Sequence, residues 1–132
     1  MEGYINTKEI KIMRIAVTSS GKSLNSEIDP RFGRAKYFFI VDPDTMEYEV
    51  VENKQNINLP QGAGIQAGKI IVNNNVVAVI TGNCGPKAFK VLKEANIKII
   101  VGNKGTVSEA VSLYKNGKLK ETDGANVEGH WV

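Results

Sequence analysis

The chain has 132 residues, 42% of them hydrophobic and 23% charged, a size and balance that suit one globular domain with a single core. Seventeen basic residues against fourteen acidic ones leave a formal charge of +3, and their dispersal, with only one Trp, four Tyr and four Phe, lacks the basic and aromatic clustering of a nucleic-acid surface. The longest purely apolar run, Val76 to Ile80, is far short of the ~20 residues of a membrane span, and the single cysteine excludes an internal disulfide or a zinc site of paired cysteines.

Residues 1–12 balance Lys against Glu and lack the apolar core of a secretory signal. They are set aside as an N-terminal extension, and the cytoplasm is the expected compartment. Met13 to Thr18 reads as a first strand, and Ser19 to Ala35 as a polar loop rich in turn formers, long enough to suggest a functional role or mobility. Tyr37 to Asp42 and Glu47 to Glu52 are strand-like runs joined by Pro43-Asp44-Thr45, which predicts an antiparallel hairpin. Gly64 to Asn73 is a predicted helix and Val76 to Thr81 a buried strand. Pro86 to Ala95 is a second helix with Phe89, Leu92 and Ala95 on one face, ended by Asn96. Ile97 to Val101 is another apolar strand. The last helix presents Val107, Ala110, Val111 and Tyr114, with Thr106 and Glu109 as its capping box. The domain thus spans 13–117, and the polar, aperiodic segment 118–132 is expected to be a mobile tail.

The order β-β-β-α-β-α-β-α places antiparallel strands first and helix-linked strands afterwards. Right-handed crossovers make the Val76 and Ile97 strands parallel to each other and to the first strand. The expected fold is α/β, a ribonuclease H-like mixed five-stranded sheet of order 3-2-1-4-5 with three helices.

In such sheets ligands gather at the carboxyl ends of parallel strands, where helix N-termini favour anions. Three loops should meet there. They contribute Ser19, Ser20 and Lys22 after the first strand, Gly82, Asn83 and Gly85 after the fourth, and Asn103, Lys104 and Gly105 after the fifth. Arg31 and Arg34, around Gly33 in the long loop, suit an anion clamp, and a purely structural role in pinning the loop accounts for them equally. Tight turns account equally for the glycines and asparagines. Cys84 precedes Pro86, a helix-starting proline, so a thiolate is favoured there and the residue is a candidate metal contact; a small buried cysteine is the structural alternative. His130, the one histidine, is a further candidate from the tail. Gly62 to Ile70 ends in Gly-Lys at a helix but fails the phosphate-loop pattern at Ala63 and Ile70 and the dinucleotide pattern at Ala67. Close helix packing explains its glycines as well. A two-metal nuclease would need clustered carboxylates, and the first strand has none.

Arg14-Ile-Ala-Val-Thr, Asp29-Pro-Arg-Phe-Gly-Arg-Ala35, Gly62-Ala-Gly-Ile-Gln-Ala67, Thr81-Gly-Asn-Cys-Gly-Pro86 and Gly105-Thr-Val together resemble the dinitrogenase iron-molybdenum cofactor biosynthesis family, which includes NifX and the C-terminal region of NifB. The resemblance runs in order over residues 13–117. It implies binding of an iron–sulfur or iron–molybdenum type cluster without catalysis, with donor and acceptor proteins of the cluster as partners. The expected function is therefore a non-catalytic carrier of an anionic metallocluster, with Cys84 as the soft contact and Lys22, Arg31, Arg34 and Lys104 supplying charge. A small-anion or nucleotide-sensing module, or a protein-interaction module without metal, is the alternative from a different class.

Overall fold

The computed structural model describes residues 13–127; the N-terminal extension 1–12 and His130 lie outside them. Strands β1 (Ile15–Ser19), β2 (Tyr37–Val41), β3 (Tyr48–Glu52), β4 (Ala78–Ile80) and β5 (Lys98–Ile100) form one sheet of order β3-β2-β1-β4-β5. β2 is antiparallel to both β1 and β3, while β4 is parallel to β1 and β5 parallel to β4. This is the expected mixed topology.

Alternation along the strands builds two apolar layers. Ala16, Phe38, Ile40, Val79 and Ile99 face helices α1 (Ala63–Asn73) and α2 (Pro86–Glu94), which bring Ala67, Ile71, Ala88 and Leu92. Ile15, Val17, Phe39, Val41, Ala78, Ile80 and Ile100 face the opposite side, where α3 (Val107–Lys115) brings Val107, Ala110 and Val111. β1 and β2 are buried throughout because both layers cover them, whereas edge strand β3 has no fully buried residue.

The local signals act where their chemistry predicts. Thr106 accepts from the Glu109 N–H at 3.1 Å and the Glu109 carboxylate accepts from the Thr106 N–H at 2.9 Å, completing the capping box. Asn96 takes a left-handed φ of 60° just beyond α2. The hairpin closes with Met46 at φ 65°, and Asp42 Oδ1 accepting from the Asp44 N–H at 2.8 Å. A short 3-10 turn at Lys54–Asn56 was not predicted. It forms where the buried Asn53 side chain donates to the Gly33 and Ala35 carbonyls at 3.1 and 2.8 Å, a tertiary tie with no local pattern.

Two close approaches settle how the long loop lies on this frame. A Cβ on Gly33 would stand 2.9 Å from the Gly64 backbone in α1, and one on Gly82 would stand 2.8 Å from the Pro30 backbone. Within the helix pair, Gly68 similarly admits Val91 of α2. Gly33→Ala is expected to lower the unfolding free energy by about 1–3 kcal/mol, because main chain rather than a side chain must give way. Urea titration against Gly124→Ala, whose Cβ meets nothing within 4 Å, checks this; equal stability of the two variants would refute the account.

Candidate functional site

Parallel pairing brings the ends of β1, β4 and β5 to one edge of the sheet, and the loops after them touch. The Thr18 hydroxyl donates to the Asp29 carbonyl at 2.8 Å and lies 2.9 Å from the Thr81 hydroxyl. The Asn103 side-chain amide donates to the Thr81 and Ile100 carbonyls at 3.1 and 3.0 Å, and the Gly102 N–H to the Gly82 carbonyl at 2.7 Å. These donors and acceptors are thereby bonded to one another.

The long loop closes this edge itself. It pairs with its surroundings at Ser19–Ile28, Glu27–Thr106 and Arg31–Asn83. Asn83 donates from its side chain to the Pro30 carbonyl at 2.8 Å, Phe32 N–H donates to the Asn83 carbonyl at 3.1 Å, and Ile28 N–H to the Gly105 carbonyl at 2.9 Å. The Asp29 carboxylate holds the bend by accepting from the Arg31 and Lys36 N–H groups at 3.2 and 3.3 Å. Burial nevertheless raises its pKa above the ordinary value, outweighing those bonds. Thus Gly82, Asn83, Asn103 and Gly105 lie at this edge, but Asn83 and Gly105 bind the long loop, while Asn103 and Gly82 bond across the ends of β4 and β5. Ser19 and Ser20 likewise spend their hydroxyls on the Gly21 and Glu27 carbonyls at 2.7 and 3.1 Å.

The predicted cations separate. Lys22 leans toward Tyr37 and Glu52, its Nζ 5.6 Å from the ring centroid and 3.9 Å from the carboxylate. Lys104 and Arg31 are exposed in their loops. Arg34 is half-buried and turns the other way, donating from Nη1 to the Ile57 carbonyl at 2.6 Å.

Arg34 lines a groove of about 460 Å³ between the starts of α1 and α2, together with Pro60 to Ile65 and Gly85 to Ala88. Both helices begin without a side-chain cap or an acid in the first turn, on Gly62 and Gly85. Their first N–H groups have no intrahelical acceptor and the positive ends of two helices face one space. Lys87 adds an exposed ammonium and no carboxylate lines the groove. Gly62 sits at φ 84° with open space where a Cβ would stand. Gly62-Ala63-Gly64 and Pro86 carry the sequence signal, which fits no phosphate-loop pattern because two separate helix starts, rather than one glycine loop, make this cradle.

Cys84 differs most from expectation. Its side chain is fully buried among Phe32, Ala35, Ala67 and Ala88, and Sγ lies 3.6 Å from the Gly85 carbonyl. Burial pushes the thiol from its ordinary 9.0 up to about 12, so a protonated thiol replaces the expected thiolate. Among the described residues no group of three or more His, Cys, Asp or Glu could hold a metal ion. Residues 118–127, expected to begin a mobile tail, are hydrogen-bonded along β5 and onto the Cys84 loop. Thr122 N–H donates to the Ile99 carbonyl at 2.6 Å and its hydroxyl accepts from Val101 N–H at 3.1 Å. Asn126 accepts from Cys84 N–H and donates to the Asn83 side chain, both at 2.8 Å. Such side-chain-to-backbone ties leave no periodicity to read.

The sequence profile of the family described as "Dinitrogenase iron-molybdenum cofactor" matches residues 11–117. The chain belongs to the dinitrogenase iron-molybdenum cofactor family. An uncharacterized protein of Methanocaldococcus jannaschii is 33% identical over 116 residues, covering 86% of this chain and 94% of its own. The apo form of the orange protein from Desulfovibrio gigas superposes with a TM-score of 0.85 at 39% identity, over 89% of this chain and 98% of that one. A Thermotoga protein of the DUF35 family, carrying a NifB designation, gives 0.76 at 38% identity over 89% and 99%. The mixed sheet of order 3-2-1-4-5 with three helices is thus shared with solved relatives of this cofactor family. No helix among the described residues is long and apolar enough to cross a membrane.

The buried thiol yields a pH signature. A folded-state value near 12 against an ordinary 9.0 means that the folded chain holds this proton more tightly, so its contribution to stability is present below about pH 9 and is lost as the pH climbs toward 12. The unfolding free energy of the wild type is expected to fall more steeply between about pH 9 and about pH 11 than that of Cys84→Ala, measured by urea titration. In the native protein at about pH 8 the thiol should react with a disulfide reagent at least about a hundredfold more slowly than in the denatured chain.

Proposed function

We propose that this protein is a non-catalytic carrier of an anionic metal–sulfur cluster or cofactor precursor of the iron–molybdenum type, and that the groove between the starts of α1 and α2 receives the cargo. The observation that carries this reading is the convergence of two uncapped helix starts with Arg34 and Lys87 on a space without a carboxylate, in a chain of this family. A sulfide-rich cluster is anionic but soft, a weaker hydrogen-bond acceptor than an oxyanion. Its fit is served by Pro60, Ile65 and Pro86 on the same walls, which offer it apolar surface while the N–H groups and cations balance its charge. The groove offers donors and fixed positive charge, which bind and orient an anion, and no base or nucleophile.

In this reading the cargo is held by charge and hydrogen bonding, and Cys84 serves the core. Held so, it binds reversibly, as a carrier that must release its load requires. The bare small-anion or nucleotide-sensing reading draws on one specific observation, that no group of three or more His, Cys, Asp or Glu able to hold a metal ion occurs among the described residues.

Anaerobic incubation with iron, sulfide and molybdate, followed by metal analysis and visible absorption, separates the two. Wild type and Cys84→Ala are expected to take up cluster alike, while Arg34→Glu/Lys87→Glu loses at least about tenfold in affinity, about 1.4 kcal/mol. Loss of uptake in Cys84→Ala with its fold intact would return the thiol to the site. No uptake by the wild type, with phosphate or nucleotide bound instead, would favour the sensing module.

A further inference from the structure

Positive charge collects at a second place on the surface. Ser20, Gly21 and Lys22 from the loop after β1, Lys36 and Tyr37 at the start of β2, and Lys54, Ile57 and Asn58 after β3 line a recess of about 460 Å³. The Lys22 and Lys54 ammonium groups stand 5.6 and 5.2 Å from the centroid of the Tyr37 ring, so one largely buried ring holds two long side chains in place. Glu52 lies 3.9 Å from Lys22 and Asp29 accepts from the Lys36 N–H beneath, but neither carboxylate is among the residues that line the recess, where three lysines meet. Among the described residues neither Lys36 nor Lys54 forms an ion pair. In a chain whose whole formal charge is +3, this is a marked concentration.

We propose that this recess docks an acidic segment of a partner protein, one rich in Asp or Glu; that the partner delivers or collects cargo rests on the carrier reading, while the chemistry of the surface does not. The choice of residue argues for a protein over a small anion. Lysine is a strongly hydrated point charge without the fork that grips an oxyanion, and Lys22 keeps 62% of its side chain exposed. A small anion there would stay hydrated. A peptide with several carboxylates can instead meet three ammonium groups at once, and attraction of that kind speeds encounter and permits quick release. Position agrees with this. Arg34 donates to the Ile57 carbonyl at 2.6 Å, and Ile57 lines the recess while Arg34 lines the groove, so the two share a wall and a docked partner would lie beside the cargo.

The test is nitrogen-15 NMR of the full chain titrated at low salt with a ten-residue glutamate peptide. The largest shifts are expected at Gly21, Lys36, Tyr37 and Lys54, with affinity falling as salt is raised. Lys22→Glu/Lys36→Glu/Lys54→Glu should bind at least about tenfold more weakly than Lys69→Glu/Lys98→Glu/Lys115→Glu, which changes net charge equally. Shifts scattered over the lysines of α2 and α3, equal weakening in the two variants, or inorganic phosphate acting at the same residues at lower concentration than the peptide would overturn docking. Cluster uptake measured on the same variants keeps the two readings apart: lost peptide binding with uptake intact is expected if docking is right, and absent uptake by the wild type with peptide still bound would remove only the cargo.

Discussion

Main chain lies against main chain at two points, Pro30 on Gly82 and Gly33 on Gly64, and the rest of the architecture follows from that contact. With side chains there, the loop after β1 would ride above the sheet edge and leave a cleft open at the ends of the parallel strands. Without them it settles flat, exchanges hydrogen bonds with the loops after β4 and β5, and fills the place where folds of this kind leave room for a ligand. The same descent carries Arg34 past the edge and into the space between two helix starts. Closing one opening and furnishing another are one event.

The polar chemistry divides accordingly. At the sheet edge, Thr18, Thr81, Asn83 and Asn103 are matched to partners within the protein, and a matched group has little left for a ligand. At the helix starts the donors are uncapped and the nearby side chains are cationic or apolar. Cys84 sits one residue from that groove in sequence, yet its sulfur belongs to the layer under α1 and α2. Proximity along the chain and access from solvent are independent here, because the turn into α2 points the side chain inward.

Much of the fold was legible because its signals are local or periodic. Apolar strand runs, the Thr106–Glu109 box and the Asn96 stop act within a few residues, and handedness of the crossovers then leaves few sheet orders. The candidate site was legible only in part. That three loops meet follows from strand direction, but whether they face solvent or one another depends on Asn83 reaching Pro30, 53 positions away in sequence, which no spacing encodes. Of the groove, Arg34 and Gly85 are legible as candidates, but its two halves, Gly62-Ala63-Gly64 and Gly85-Pro86-Lys87, join only when Gly64 lets α1 approach Ala88 of α2, where a Cβ would meet Ala88 Cβ at 3.1 Å. A thiolate follows from helix polarity and the nearby Lys87 as read in the sequence, and burial is the larger effect.

The strand-like attachment of Thr122 to Ile99 and Val101 bears on solubility at the margins of the sheet. An open strand edge is a template for another chain. On the β5 side that template is already occupied by the protein's own segment, held at its far end by Asn126. The β3 side keeps its edge but displays Glu49 and Glu52 there, carboxylates facing Arg14 and Lys22 whose ion pairs a neighbouring chain would have to strip of water. Each margin is guarded by a different means, one by occupancy and one by charge, so neutralising the acids of β3 would expose the molecule to lateral stacking where trimming residues 118–127 would expose it on the other flank.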